Sequence, residues 1–151
     1  MLTLSKKLIY AIEAVLDIAY NSAGQPVQSG EISRRQGIPA RYLEPVLQQL
    51  VRSGILAGVR GPRGGYRLGR ERRAITLGEI VRVVRSLETS ADVVGEDGSS
   101  DLGRAVVRPL WRTMREEWMS KLDATSIEDL CLRARQQGLP SEAAEKIDFT
   151  I

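Results

Sequence analysis

The chain has 151 residues, which suffices for one domain of ordinary size or for a small domain with an added oligomerisation element. No stretch approaches the ~20 apolar residues of a membrane span. The first ten residues lack the features of a secretory signal, so we expect a cytoplasmic protein with no membrane partner. The single cysteine, Cys131, excludes an internal disulfide and agrees with a reducing compartment.

The net charge of +3 conceals an uneven distribution along the chain. Residues 1–85 carry 14 Lys and Arg against 6 Asp and Glu, a net charge of +8, whereas residues 86–151 carry 8 against 13, a net charge of −5. A basic first half suits binding to a polyanion, and an acidic second half suits assembly or sensing. If the surface charges served only solubility, no such separation would be expected, although the separation does not exclude that alternative.

Two helices are predicted at the start of the chain. Apolar residues at three- and four-residue steps predict a first helix over about residues 5–21, with Ser5 as its N-cap. Ser29 is placed to cap a second, short helix that continues to Gln36. Gly37 suits the left-handed position that ends this helix.

A third helix follows after only a few residues. Its apolar spacing covers about residues 40–53 and ends at Gly54, and Pro45 near its start predicts a slight kink. Two helices joined by a short glycine-containing turn are typical of a helix-turn-helix, in which the second helix enters the major groove of DNA.

A cationic, glycine-rich loop comes next. Its sequence is Arg60-Gly61-Pro62-Arg63-Gly64-Gly65-Tyr66, and it lies between strand-like runs at residues 55–59 and 66–68. Its three glycines can take positive φ and allow a tight turn. Its two arginines are slender and always charged, as insertion into a narrow minor groove requires. A hairpin after a helix-turn-helix predicts a winged helix, although the loop alone is equally compatible with a solvated hairpin.

The second half of the chain begins with a fourth helix. Residues 76–79 and residues 125–128 each have the form of a capping box, which predicts a fourth helix and a last helix. Between them, residues 89–100 are rich in Gly, Ser and Asp, and they predict a flexible loop. The tail over residues 141–151 is predicted to be weakly structured.

A long helix is predicted over about residues 101–122, with Pro109 as a kink or a late start. One stripe of this helix carries Trp111, Met114, Trp118 and Leu122. Such a stripe is far more often a packing face than a cofactor site, and a narrow stripe on a long helix suits pairing with a copy of itself. We therefore expect a symmetric homodimer whose two helix-turn-helix units bind a palindromic site.

The residues expected to contact double-stranded DNA come from the second helix, the third helix and the glycine loop. They are Ser29, Pro39, Ala40, Arg41, Tyr42, Glu44, Gln48, Arg60, Pro62, Arg63, Gly64, Gly65 and Tyr66. Arg41 can donate to guanine, Glu44 can accept from cytosine and Gln48 can pair with adenine. Arg60 and Arg63 are the strongest candidates for the minor groove.

Other positions leave alternatives open. Ser29 and the free N–H groups of the second helix suit a phosphate contact. The ring of Tyr42 suits core packing as well as it suits a hydroxyl that reaches phosphate. Arg34 and Arg35 suit contacts with the DNA backbone, or solvated charges, better than they suit base readout.

Several of these motifs, in this order, resemble the Rrf2 family of bacterial transcription regulators. The resemblance covers nearly the whole chain and is most specific at residues 4–19, at Tyr42-Leu43-Glu44, at residues 59–68 and at residues 75–80. It implies a mainly α fold with a small β-wing, that is, a winged helix-turn-helix plus a long C-terminal dimerisation helix. It also implies that Glu44 occupies the position that the family uses for base discrimination.

The chain departs from the family pattern in its cysteines. Members that bind an iron–sulfur cluster carry three cysteines in the loop before the long helix and at its start, yet residues 89–108 contain none here, and the chain has no histidine. Clusters need thiolate or imidazole ligands, so Cys131 cannot hold one within a subunit, and two copies in a dimer would still lack two ligands. We predict a member with no cluster, metal or other cofactor, in which Cys131 is a buried apolar residue rather than a redox sensor.

The sequence thus divides into a DNA-binding domain at residues 1–88, a flexible loop at 89–100 and a dimerisation helix, last helix and tail at 101–151. The predicted function is sequence-specific regulation of transcription, with repression as the preferred direction. The signal would enter through the acidic half by a small molecule, by a protein partner or by no ligand at all.

Two alternatives belong to other functional classes. A protein-interaction module could keep the fold and bind a metabolic enzyme, as one member of the family does. An enzyme with the glycine loop as a phosphate cradle fits poorly, because the loop lacks the Gly-Lys-Ser/Thr ending and no histidine is present for acid–base chemistry.

Overall fold

The computed structural model describes residues 4–87 and 100–143, which form a mainly helical fold with one two-stranded antiparallel sheet. The elements are α1 (Lys6–Asn21), α2 (Ser29–Gln36), α3 (Ala40–Arg52), β1 (Leu56–Val59), β2 (Gly65–Leu68), α4 (Leu77–Leu87), α5 (Arg108–Asp123) and α6 (Ile127–Gln136). The predicted fold class is therefore confirmed. No helix within the described ranges has the length and apolar character needed to cross a membrane.

One hydrophobic core joins both halves of the chain. Its largest fully buried side chains come from α1, α2, α3, β1, α4 and α6, and they include Ile18, Ile32, Leu43, Leu47, Leu50, Leu56, Ile80 and Ile127. α1 is central to this core and packs against α2, α3, α4 and α6. Ala11 and Ala14 on α1 are completely buried, and their small side chains allow the neighbouring helices to approach closely.

The ends of the first two helices were predicted with one error. The Oγ of Ser5 accepts a hydrogen bond from the N–H of Leu8 at 3.2 Å, so the predicted cap is confirmed. Gly37 ends α2 with a φ of 66°, which is also as predicted. Ser29 is wrong as a cap, because α2 already begins at Ser29 and the cap position is Gln28, whose side chain makes no capping hydrogen bond.

Both predicted capping boxes exist, but the second lies one residue later than predicted. The N–H of Glu79 donates to the Thr76 hydroxyl at 3.3 Å, and the N–H of Thr76 donates to the Glu79 carboxylate at 3.2 Å. At α6 the reciprocal pair is Ser126 and Asp129, at 3.1 and 2.8 Å, rather than the ends of the range 125–128. The shift arises because the threonine before Ser126 donates its hydroxyl back to α5.

The predicted long helix is present and contains a π-helical segment, Gly103–Val107, directly before α5. In this wider turn the N–H of Arg108 donates to the carbonyl of Gly103. Pro109 has no N–H to donate, and it lies next to this wider turn in the first turn of α5, where its ring does not end the helix. The helix therefore begins before the proline, and the π segment accommodates it.

The C-terminal end of α5 attaches this helix to the core. The guanidinium of Arg82 on α4 donates to both carboxylate oxygens of Asp123 at 2.8 and 2.7 Å. Met119 and Leu122 pack against the core, and Gly78 leaves no space for a Cβ beside Asp123. By contrast, Trp111 and Met114 nearer the start of α5 are exposed. The loop predicted at 89–100 lies outside those residues, apart from Ser100.

Candidate nucleic-acid interface

α3 has one buried side and one exposed side. Leu43, Val46, Leu47 and Leu50 are buried, with at most 1% of each residue exposed, and they fix the orientation of the helix. The exposed residues include every position of α3 that was predicted to contact DNA, together with its N-cap: Pro39, Ala40, Arg41, Tyr42, Glu44 and Gln48. Arg52 also lies on the exposed side and was not predicted, although its four-residue spacing from Gln48 was a usable signal.

Tyr42 is not a core residue. It is 43% exposed, and its ring lies against Tyr10 of α1 with the ring centroids 6.3 Å apart. The guanidinium of Arg41 lies 4.7 Å from the centre of the Tyr42 ring, within cation–π distance. This contact restricts Arg41 to the exposed side of α3, where it makes no hydrogen bond or ion pair with any described residue.

Pro45 also lies on the exposed side of α3. A proline within a helix has no N–H for the carbonyl four residues earlier, so the carbonyl of Arg41 loses its helical partner. Because this position faces solvent, water can satisfy the carbonyl, and the cost is smaller than it would be in the core.

The wing consists of β1, β2 and the loop between them. β1 and β2 are antiparallel, with Val59 opposite Gly65 next to the loop. The N–H of Gly64 donates to the carbonyl of Gly61 at 2.9 Å, and Gly61 has a φ of 109°, as predicted for a tight turn. Gly64 does not use positive φ, so that prediction is wrong. Glycine is needed there because a Cβ would collide with the carbonyl of Val59.

The base of the wing is attached to the segment before α2. Val27 and Tyr66 exchange two backbone hydrogen bonds, each 2.8 Å long. A Cβ at Gly65 would lie 2.5 Å from the carbonyl oxygen of Val27, so only glycine permits this approach. Tyr66 is partly buried against the core. Ser29 follows two residues after Val27 and is partly exposed.

The arginines at the tip of the wing differ from two arginines of the connector that follows it. Arg60 and Arg63 are exposed, and neither forms a hydrogen bond or ion pair with any residue in the described ranges. By contrast, Arg70 pairs with Glu79 and Arg73 pairs with Glu71. The described residues thus supply carboxylates for Arg70 and Arg73 but none for Arg60 and Arg63.

The two arginines of α2 have different environments. Arg35 is wrongly predicted as a solvated charge or a contact with the DNA backbone. Its side chain is only 12% exposed, and its guanidinium donates to both oxygens of the buried Asp17 at 2.9 and 2.8 Å. Arg34 is 69% exposed and lies 3.6 Å from Glu142. Arg34 therefore stays accessible, whereas Arg35 is part of the structure.

The residues predicted for dimerisation are unequally exposed. Trp111 and Met114 are 50% and 52% exposed, Trp118 is partly buried, and Leu122 packs against the core of its own chain. The exposed large apolar side chains extend toward the start of the helix: Leu102, Val106, Val107 and Leu110 are 56–74% exposed. Sequence reasoning missed these four, although steps of four residues connect 102, 106, 110 and 114.

The donor set of the chain does not fit an iron–sulfur cluster. The sequence has one cysteine and no histidine. Cys131 is 1% exposed within the core, and burial raises the pKa of its thiol, against a smaller opposing effect of Arg72. A cluster needs several thiolate or imidazole ligands at one place. No group of three or more metal-ligating side chains occurs within residues 4–87 and 100–143.

A helix-turn-helix followed by a two-stranded hairpin defines the winged-helix class of proteins. Within this class, the family model for Rrf2, described as an iron-dependent transcriptional regulator, matches residues 4–133. The chain belongs to the Rrf2 family of transcriptional regulators.

Relatives and structural neighbours agree with this assignment. The regulator IscR of Yersinia pseudotuberculosis is 36% identical over 127 residues, which cover 84% of this chain and 77% of the relative. IscR of Xenorhabdus nematophila is 37% identical with the same coverage. The structure of T. potens IscR has a TM-score of 0.75 and 29% identity, and it covers 92% of this chain and 93% of that one. CymR, the global cysteine regulator of B. subtilis, has a TM-score of 0.71 and 32% identity, covering 88% and 98%.

These similar proteins are regulators of transcription and not enzymes. The chain is therefore a regulator of the same type, and a catalytic role for the glycine loop has no support from them.

Proposed function

We propose that this regulator binds a specific operator as a homodimer, with α3 in the major groove and the wing in the adjacent minor groove. The observation that carries the proposal is the exposed side of α3. The side chains of Arg41, Glu44 and Gln48 lie there, and none of these side chains forms a hydrogen bond or ion pair with any described residue. Their base-reading groups are thus available to an external partner.

The chemistry of these three side chains suggests what they read. Arg41 donates two parallel hydrogen bonds to guanine, Glu44 accepts from the amino group of cytosine, and Gln48 pairs with adenine. Each well-formed contact discriminates against the wrong base by about 1–3 kcal/mol. Glu44 also repels phosphate, so it contributes selectivity rather than general affinity.

Arg60 and Arg63 of the wing supply the minor-groove contacts. A narrow minor groove concentrates negative potential, and unpaired arginines lose no internal ion pair when they enter it. The anchor between Val27 and Tyr66 supports this role, because it links the position of the wing to the start of α2.

The homodimer is proposed to form through the exposed apolar residues of α5 and of the turns directly before it, with a second copy of the chain as the partner. Six large apolar side chains between Leu102 and Met114 are 50–74% exposed, and contiguous apolar patches of this kind on soluble proteins mark interaction sites. Their spacing of three to four residues gives the narrow line that helix pairing uses. Leu122 is not part of the proposed interface, because it packs within its own chain. A two-fold dimer then requires a palindromic operator.

DNA binding is proposed to be independent of an iron–sulfur cluster. The support is the donor set, which lacks the ligands that a cluster needs. Iron and acid-labile sulfide assays on protein prepared without oxygen test this part. A visible chromophore together with bound iron would overturn it.

Selection of genomic fragments by the purified chain, followed by fluorescence anisotropy titration, tests the function as a whole. We expect a palindromic consensus, competition by specific but not random duplex, and an affinity that falls steeply as salt rises. Glu44→Ala should change the preferred base at one position of each half-site. If no duplex outcompetes random DNA at low salt, the proposed function is wrong and a protein partner becomes the better explanation of the exposed side of α3. A promoter reporter then tests the preferred direction, repression.

A further inference from the structure

A cavity of about 450 Å³ lies between α1, α2 and the segment that follows α6. Its volume falls within the ~300–1,000 Å³ that is typical of small-molecule sites. Charged groups line one part of the cavity, and Leu16, Tyr20 and Leu139 give it an apolar wall. The cavity is separate from the proposed DNA-contacting residues, none of which lines it.

Arg35 is a cation in this cavity, and it donates hydrogen bonds to two carboxylates. One is Asp17, whose side chain is completely buried and also accepts a hydrogen bond from Gln36 at 2.8 Å. The other is Glu142, whose carboxylate accepts from the Nη1 of Arg35 at 2.8 Å. A guanidinium can hold two carboxylates in this way because its five N–H groups point in fixed directions.

The two carboxylates differ in how firmly the chain holds them. Asp17 lies on the central helix with no exposed side-chain surface, whereas the side chain of Glu142 is 35% exposed. Glu142 lies on a short segment that is tied to α1 by only a few hydrogen bonds. These run from the Tyr20 hydroxyl to the Leu139 carbonyl, from the Ser141 hydroxyl to the Tyr20 carbonyl, and from the Glu142 N–H to Asn21. Of the two carboxylates, that of Glu142 is therefore easier to displace from Arg35. An external carboxylate can bind Arg35 in its place.

Glu13 supplies the second recognition element. It lies one helical turn before Asp17 on α1, so the two Cβ atoms are roughly 5–6 Å apart. Burial raises the pKa of Glu13, and its carboxylate has no hydrogen bond or ion pair with any described residue. A ligand that carried only a carboxylate would be repelled by Glu13, whereas a ligand that also carried an ammonium group would pair with it.

We propose that this cavity binds an apolar α-amino acid. The ligand carboxylate takes the place of Glu142 on Arg35, its ammonium group pairs with Glu13, and its side chain packs against Leu16 and Leu139. Binding therefore releases the Glu142 carboxylate from Arg35 of α2, the first helix of the helix-turn-helix, and leaves it only the 3.6 Å pair with Arg34 among the described residues. The effect of that release on the operator rests on the proposed function, but the binding itself does not.

Calorimetric titration of the full chain without DNA tests the binding. The probes are the apolar L-amino acids from alanine to phenylalanine, each titrated separately. We expect at least one to saturate a single site per chain. For that amino acid, the amine that lacks the carboxylate and the acid that lacks the amine should each bind at least about tenfold more weakly, since each loses a charge-assisted hydrogen bond. The proposal is overturned if no probe binds at millimolar concentration, or if either truncated analogue binds as tightly as the amino acid.

Three glutamate variants distinguish this site from an unspecific one. Glu13→Gln should weaken binding about tenfold, because the ammonium group loses its counter-charge. Glu142→Gln should tighten binding by about threefold or more, because it removes the internal competitor. Glu31→Gln is the matched control, since Glu31 lies 3.9 Å from Arg35 but does not line the cavity, and affinity should stay within about twofold.

Thermal unfolding of each variant checks that it folds. Unchanged affinity in Glu142→Gln would contradict the displacement step even if an amino acid bound. If amino acids bind as expected but no operator is found, the proposed function fails and the ligand site stands.

Discussion

Two surfaces are left largely uncovered by the described residues, and they differ in chemistry. The recognition surface consists of Arg41, Glu44 and Gln48 on α3 with Arg60 and Arg63 on the wing, and it presents charged and polar side chains that form no hydrogen bond or ion pair with any described residue. The apolar line of α5 consists of Leu110, Trp111 and Met114 on α5 with Leu102, Val106 and Val107 in the turns directly before it, and these side chains are 50–74% exposed.

The difference indicates the kind of partner that each surface needs. Unpaired arginines lose little when they bind phosphates, so the recognition surface suits a polyanion. Exposed apolar residues gain about 25 cal/mol for each Å² removed from water, so the line on α5 suits another apolar surface. A substitution in the recognition surface is thus expected to weaken DNA binding without affecting self-association, and a substitution in the apolar line is expected to weaken self-association.

Arg35 is the reference case, an arginine whose partners are supplied by the chain itself. Arg35→Ala should lower the free energy of unfolding by about 3–5 kcal/mol, because it leaves the buried Asp17 without its counter-charge. Chemical denaturation measures the change. Arg73→Ala is the control, since Arg73 is 74% exposed in a surface pair, and it should change stability by less than about 0.5 kcal/mol. Equal effects of the two substitutions would contradict the distinction between a buried ion pair and an exposed one.

The apolar line of α5 can be tested with one charge. Met114→Glu should weaken self-association by about 100-fold or more, because the new carboxylate would be buried without a partner in the dimer. Sedimentation velocity measures the change. The stability of the single chain should be nearly unaffected, since Met114 is 52% exposed within it.

Ser120→Glu provides the matched control for this substitution. It places the same charge at an exposed position of the same helix, outside the apolar line, and should leave association unchanged. If Ser120→Glu disrupts the assembly and Met114→Glu does not, the interface lies elsewhere on the helix.

The recognition surface should give a smaller effect. Arg63→Ala should weaken operator binding about tenfold and reduce the slope of log affinity against log salt by about 1, because one cationic contact is lost. Anisotropy titrations at several salt concentrations measure both. Self-association and thermal stability should not change, since Arg63 is exposed and has no partner among the described residues. If Arg63→Ala instead lowered thermal stability enough to explain its weaker operator binding, the proposed contact between the wing and DNA would be refuted.

Local signals in the sequence predicted most of the fold. Ser5, Gly37 and the box at Thr76 act on residues three or four positions away, so their neighbours in the sequence are also their partners in the structure. The exposed side of α3 follows for the same reason, because helical periodicity alone separates Glu44 and Gln48 from the buried leucines.

Contacts between distant residues were not predictable in this way. Arg35 meets Asp17 across 18 positions and Glu142 across 107, and nothing in the local pattern distinguishes it from the exposed Arg34. The need for glycine at position 64 was attributed to positive φ, which is wrong. The real cause is the carbonyl of Val59, which excludes a Cβ and comes close to Gly64 only in the folded hairpin.

The smallest expected effect concerns pH and lies outside both surfaces. Burial raises the pKa of Glu79, but hydrogen bonds from Arg70 and from the N–H of Thr76 more than offset this and hold the pKa below its ordinary value. The stabilisation is therefore complete above the pKa of the unfolded chain and is lost as pH falls through the lower pKa of the folded chain. Since the side chain is 35% exposed, solvent screening should keep the contribution below about 1 kcal/mol.

Denaturant unfolding of wild type and Glu79→Gln should reveal this contribution as a difference that shrinks between about pH 5 and pH 3, because protonation removes the charge from wild type as well. Self-association through α5 should not follow the same pH dependence, because Glu79 caps α4 and is not part of the apolar line. If stability and self-association were lost together in this pH range, the start of α4 and the proposed dimer interface would be coupled. The apolar line of α5 could then not be treated as independent of α4.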